Sequence, residues 1–227
     1  MKKRKKIITV DDPSNWLSSG RVTDYLNRID HIPHRKEGES VLLELLPDST
    51  RRILDLGSGN GRLIKLVKKR FPQVHAVAID FSPHMITELK RELSSEETVL
   101  VVKHDLNDRL PNLGKFDAIL SSFAIHHLTH MRKKEIYSEI FSILSPRGIF
   151  CNLDHISSSS IKLKQYFRKA MKRKSVNIEH EKRLSNINVQ IRWLKEIGYV
   201  DVDCYWKWLE FALLIGFKMD KNQSLLS

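Results

Sequence analysis

Residues 53–61 read Ile-Leu-Asp-Leu-Gly-Ser-Gly-Asn-Gly, an apolar run with one acid that stops in three glycines at alternating positions. This predicts a buried strand breaking into a tight loop around a nucleotide-like ligand. Gly57, Gly59 and Gly61 would keep β-carbons out of the space between backbone and ligand. An amphipathic helix is predicted directly afterwards, with Leu63, Ile64, Leu66 and Val67 on one face and Lys65, Lys68, Lys69 and Arg70 largely on another. Strand, glycine loop and helix make half of a βαβ unit.

The glycine spacing separates two ligand classes. A dinucleotide fingerprint places a third glycine where this chain has Arg62. Asp55, in the approach to the loop, would oppose a pyrophosphate but suits the ammonium of an amino acid or the water around it. With the aliphatic strand before it, D-x-G-x-G-x-G from Asp55 to Gly61 resembles the first motif of the class I S-adenosylmethionine-dependent methyltransferases.

Later strand ends extend the resemblance. His75-Ala-Val-Ala-Ile-Asp80 is an apolar run ending in an acid, which at a strand's carboxyl edge can take both hydroxyls of a ribose. Ser82 and Pro83 read as the N-cap and first residue of a helix, and Phe81 and Met85 would flank an adenine. Val99 to Val102 leads into Lys103-His104-Asp105-Leu106, where the resemblance implies that Asp105 faces the adenine amino group with Leu106 beside it. Phe116 to Ser121 opens into Ser122-Phe-Ala-Ile-His-His-Leu128, where family members contact the methionine part and begin the substrate pocket. The implied cofactor is S-adenosyl-L-methionine, held by Asp55, Gly57, Ser58, Gly59, Gly61, Asp80, Phe81, Met85, Asp105, Leu106, Ser121 and Ser122. Residues 31–35 lie where relatives carry a lid, so Arg35 is a candidate partner for the methionine carboxylate and Tyr25 a candidate cover.

A chain of 227 residues accommodates one α/β domain with a lid or two and buries a large core. It has no run of about 18 apolar residues, and Met1-Lys-Lys-Arg-Lys-Lys6 lacks the apolar stretch of a signal peptide, which predicts a cytoplasmic protein without a membrane span. Cys151 and Cys204 lie in apolar strand-like runs and suggest neither a disulfide framework nor a metal site. The formal charge of +12 is concentrated: residues 1–6 hold five Lys/Arg and residues 161–174 hold seven, leaving 27 Lys/Arg against 27 Asp/Glu elsewhere. Such runs are commonly solvated faces, and here they also suit an anionic acceptor, a phosphate backbone or a membrane surface.

Helices are predicted over 16–29, 35–46, 133–144, 161–174 and 184–197, with Leu163, Tyr166, Phe167, Ala170 and Met171 inward on the basic one. A fifth strand is predicted over 149–153. Residues 198–206 and 209–217 read as two strands joined so closely that they must be antiparallel. A hairpin added to a parallel sheet resembles the superfamily's usual ending. The expected fold is therefore α/β, with a Rossmann-like, mostly parallel seven-stranded sheet of order 3-2-1-4-5-7-6, helices on both faces and a small helical lid. The expected organisation is a disordered basic tail (1–12), a helical lid (13–48), a methyltransferase core (49–218) with a basic helical insertion (157–184), and a tail (219–227).

A methyl group on a sulfonium is already electrophilic, so the protein mainly has to align the acceptor and exclude water. A base is needed when the acceptor is protonated, and His126, His127 and His155 are the candidates. On a helix starting at Ser122, His126 would share a face with Ser122 toward the methyl group, and His127 would be offset by about 100°. Asn-Pro-Pro-Tyr, a Pro-Cys nucleophile and a radical-type cysteine cluster are all missing. This leaves methylation of an O or N on a small or medium-sized acceptor as the principal reading. An RNA methyltransferase is the runner-up, and a non-catalytic adenosylmethionine-binding regulator comes third.

Overall fold

The computed structural model describes residues 16–172 and 178–220. The basic tail predicted over 1–12, residues 173–177 of the insertion and most of the tail predicted over 219–227 lie outside the described residues.

The elements are α1 (Ser19–Leu26), α2 (Arg35–Glu44), β1 (Arg52–Leu56), α3 (Arg62–Arg70), β2 (His75–Asp80), α4 (Pro83–Glu92), β3 (Val99–Lys103), β4 (Phe116–Ser122), α5 (His130–Ile143), β5 (Leu144–His155), α6 (Ile161–Ala170), α7 (Ile178–Arg183), α8 (Ile187–Ile197), β6 (Val200–Trp208) and β7 (Phe211–Phe217). Their sheet order is β3-β2-β1-β4-β5-β7-β6. The pairs from β3 to β5 are parallel, and β7 runs antiparallel to both β5 and β6. This is the predicted sheet. Strand order reverses between β1 and β4, so a crevice opens at their carboxyl ends.

Alternation along each strand feeds two cores. Ile53, Ala76 and Ala118 pack with Leu42, Leu63, Ile64, Val67 and Leu89 of α2, α3 and α4. Leu54, Val77 and Ile119 pack on the other face with Ile136, Tyr137, Ile140 and Leu194 of α5 and α8. Burial on both faces explains why these strands read as unbroken apolar runs. Ser82 caps α4 as expected, accepting from the Met85 amide, with Pro83 next.

Four local expectations are corrected. The chain does not enter a helix at Ser122: β4 runs through it, Phe123 takes φ 57°, and a 3₁₀ turn spans Ile125–His127. Thr129 then caps α5, which fixes the helix start there. The helix predicted over 184–197 begins later, at Ile187, because Asn186 caps α8, and the separate helix α7 precedes it. On α6 only Phe167 is buried, whereas Leu163, Tyr166 and Ala170 are exposed and Met171 half-buried. The fifth strand begins earlier, at Leu144.

Candidate active site

At the switch point the carboxyl ends of β1, β2, β3 and β4 line a cleft of about 760 Å³, its open mouth included. Its lining includes Gly57, Gly59, Asp80, Phe81, Met85, Asp105, Leu106 and Ser122, together with Trp16, Tyr25, His104, Asn107 and His127. A smaller lobe of about 280 Å³ shares Tyr25, Gly57, Gly59 and Ser122 with it and adds Arg35, Asp55, Ser58, Asn60 and Arg62. Sequence positions 16 to 128 thus converge on one crevice.

The three glycines serve different purposes. A β-carbon on Gly57 would lie 2.3 Å from that of Ala124, and one on Gly61 2.7 Å from Leu89, so both are packing positions. Gly59, with φ 54°, meets only the Met85 sulfur at 3.9 Å and otherwise faces the cleft. The expectation that all three face the ligand is therefore corrected: Gly57 and Gly59 line the cleft, whereas Gly61 packs against Leu89 and Leu93 and lines neither lobe. Asp80 is buried and braces this loop, its carboxylate accepting from the Gly59 amide and the Ser82 amide, each at 2.9 Å. Burial raises its pKa against those two hydrogen bonds.

Arg35 is nearly fully buried at the smaller lobe. It donates to Glu39 Oε1 at 2.8 Å, Tyr25 Oη at 3.1 Å and Ser122 Oγ at 3.2 Å. Glu39 also accepts from Arg62, which pairs with Asp30 as well, so α2, α3 and the lid are tied together. Asp55 is 1% exposed, and burial pushes its carboxyl up to about 7. Trp16 and Tyr25 pack edge to face at 5.1 Å above the cleft, and the Trp16 carbonyl accepts from Ser82 Oγ.

Whether the cleft fits a cofactor is tested by its unsatisfied atoms. Asp55 Oδ2, Asn60 Oδ1 and His104 Nε2 are buried without a hydrogen-bond partner, and all three residues line the two lobes. Buried polar atoms normally find partners. A molecule with a cationic amine at one end and a polar base at the other would supply them.

Besides Gly61, three candidates lie elsewhere. Ser121 is fully buried and donates to the Leu56 carbonyl at 3.2 Å. His126 and His155 are buried behind the cleft wall. His126 Nδ1 is 2.5 Å from Asp154 Oδ1, and His155 Nε2 is 2.9 Å from Glu210 Oε2. The 3₁₀ turn reverses the expected orientation, so His127 lines the cleft and His126 points inward. Desolvation, then neighbouring His126 and His180, hold the His127 pKa well below its ordinary value.

Sequence reasoning did not single out Glu39, Asn60, His104, Trp16 or His180. Glu39 had a readable signal, standing four residues after Arg35 on one helix face. His180 had none.

An acid-tipped second strand, a glycine loop and a 3-2-1-4-5-7-6 sheet define a class I methyltransferase fold. The methyltransferase-domain family model matches residues 53–148. The chain is 24% identical over 214 residues to a carboxy-S-adenosyl-L-methionine synthase of Nautilia profundicola, covering 86% of this chain and 89% of that one. It is 31% identical to a demethylmenaquinone methyltransferase of Thermus thermophilus, covering 55% of this chain and 57% of the relative. Among solved structures, an O-methyltransferase family protein from Burkholderia thailandensis superposes with TM-score 0.72 at 17% identity, covering 92% of this chain. A phosphoethanolamine N-methyltransferase of Haemonchus contortus, solved with S-adenosyl-L-methionine, gives 0.68 at 15% identity, covering 95% of this chain. The chain spans 63% and 61% of those two structures' lengths. Residues 53–148 thus match a methyltransferase domain, and the fold is that of the class I methyltransferases.

Proposed function

We propose that the protein transfers the cofactor's methyl group to an oxygen or nitrogen of a small or medium-sized acceptor. The observation that carries this reading is the end wall of the cleft. There His127, backed by His126 and His180, stands beside Ser122 and Phe123 under the Trp16–Tyr25 lid. Bound cofactor supplies an electrophilic methyl group. The protein's part is to hold it by Asp80, Gly59 and the Arg35–Asp55 lobe, align the acceptor in line, and keep water out with the lid. The Asp55 carboxylate suits the amino acid ammonium, and Arg35 suits the carboxylate.

One feature weighs against a phosphate-backbone substrate: Lys164 and Arg168 of the basic helix α6 are already engaged by Glu181 at 2.5 and 2.7 Å. A second reading, modification of the cofactor itself, draws on the 24% and 27% identical carboxy-S-adenosyl-L-methionine synthases, which match over 86% and 88% of this chain. One experiment tests all of these. The protein is incubated with methyl-labelled cofactor and fractionated small molecules or RNA, and products are read by mass spectrometry. Label in a small molecule is the expected result. Label in RNA alone, or an altered sulfonium nucleoside without transfer, would overturn the proposal.

The cofactor lobe makes a pH prediction. A carboxyl with pKa about 7 must lose a proton to pair with an ammonium. Affinity for S-adenosylhomocysteine should therefore fall as pH drops below 7, by up to about tenfold per unit. Asp55→Asn should flatten that slope and weaken binding. Stability of the unliganded protein runs the other way: the folded pKa lies above the unfolded one, so stability falls as pH rises from about 4 through 7. Asp55→Asn, which removes a buried charge, should raise Tm at pH 8. Calorimetry and thermal melts at pH 6, 7 and 8 check both signs.

A further inference from the structure

Behind the cleft wall four histidines from distant parts of the chain pack together. His126 and His127 come from the 3₁₀ turn after β4, His155 from the end of β5, and His180 from α7. Ring centroids of His126 lie 4.0 Å from His127, 5.3 Å from His180 and 5.8 Å from His155. His155 is turned to Glu210 and to Phe167. The other three each bring one ring nitrogen to within 4.8 Å of the others'.

We infer that His126, His127 and His180 form a binding site for one divalent transition metal ion, with an open coordination position facing the cofactor cleft. Three arguments support this. First, the donor set is right: three imidazoles suit Zn²⁺, Fe²⁺, Co²⁺ or Ni²⁺, and three protein ligands with an open position distinguish catalytic sites from closed structural ones. His126 and His180 are buried, whereas His127 lines the cleft, so the open position falls on the acceptor's side. Second, the outer shell is present. His126 Nδ1 lies 2.5 Å from Asp154 Oδ1, the carboxylate contact that in a carboxylate–histidine–metal arrangement orients the ring. Third, the spacing is close. Metal–nitrogen bonds of about 2.0–2.1 Å at tetrahedral angles separate ligand nitrogens by about 3.4 Å. Ring rotations that bring the three nitrogens, which all lie within 4.8 Å of one another, to that spacing would complete the site.

The surrounding charges are mixed. Arg183 donates to the His127 carbonyl at 2.8 Å and Lys133 donates to the Arg183 carbonyl, two cations that oppose a metal; the Asp154 and Glu210 carboxylates favour one. At this position the ion would be a Lewis acid for an acceptor hydroxyl, lowering its pKa so that its proton passes to water. It would also fasten α7 to the core. This use of the wall deepens the proposed acceptor site and rests on that reading, but binding of the metal can be tested without it.

The test uses tag-free full-length protein dialysed against chelator, then titrated with Co²⁺ followed by Zn²⁺. One equivalent of Co²⁺ should bind with the visible absorption of a four-coordinate site, and Zn²⁺ should displace it. Tm should rise by several degrees with excess Zn²⁺. His180→Ala should weaken Zn²⁺ at least hundredfold, while S-adenosylhomocysteine binding, measured in parallel, certifies the fold. His180→Gln serves if the alanine variant does not fold. Absence of stoichiometric Co²⁺ binding, or unchanged Zn²⁺ affinity in a folded His180 variant, would overturn the site. Methyl transfer by protein shown to be metal-free, at the same rate as loaded protein, would overturn the metal's catalytic use and leave the proposed function standing. Metal binding without transfer to any small molecule would count against the proposed function and leave the site standing.

Discussion

Asp80→Ala is expected to weaken S-adenosylhomocysteine and S-adenosylmethionine about hundredfold. The carboxylate sits at the carboxyl end of β2, where its oxygens brace the Gly59 and Ser82 amides and border the cleft. A hydrogen bond to a charged group contributes about 1.5–3 kcal/mol. Losing those made to a ribose, together with the bracing of the loop, therefore comes to roughly 3 kcal/mol, and each 1.4 kcal/mol is a factor of about ten. Calorimetric titration of the folded variant decides it, since unchanged affinity would remove Asp80 from the cofactor site. Gly59→Ala should likewise reduce binding more than Gly61→Ala, which should act mainly on stability through Leu89 and Leu93.

Glu39→Ala should be the most destabilising of the substitutions considered. Glu39 is 1% exposed and accepts from both Arg35 and Arg62. Its removal leaves Arg35 buried without its carboxylate, and breaking such a pair costs about 3–5 kcal/mol. For a chain of this size that corresponds to a fall in Tm of about 10 °C. Cofactor affinity should fall too, because Arg35 loses the contact that aims it at the smaller lobe. Glu39→Gln, which keeps the shape and one acceptor, should do less. A melt within about 2 °C of the parent would show that the two arginines find other partners.

The sheet was legible because its information is local and repeated. Each of β2 and β4 is an apolar run ended by a polar group, β1 is one ended by the glycine loop, and the close pairing of the last two strands leaves no room for a parallel return. The glycine loop was legible as a motif, but the separate tasks of Gly57 and Gly61 depend on Ala124, Leu89 and Leu93, which are distant in sequence. The region after β4 misled for a physical reason. Ala-Ile-His-His-Leu has helical spacing, yet Phe123 adopts a left-handed conformation and Thr129 caps the next helix, so a single 3₁₀ turn exchanges the faces of His126 and His127. The histidine cluster was illegible because His180 reaches it from an insertion about fifty residues downstream, a juxtaposition that no spacing rule supplies.

The central claim, that the crevice at the carboxyl ends of β1, β2 and β3 holds the cofactor under the lid, is tested most directly by hydrogen exchange with and without saturating S-adenosylhomocysteine. Slowed exchange is expected in peptides covering 55–62, 80–86 and 104–108 and in the lid from 16 to 35, with little change in β6 and β7. Protection confined to other segments, or none at saturation, would contradict the account.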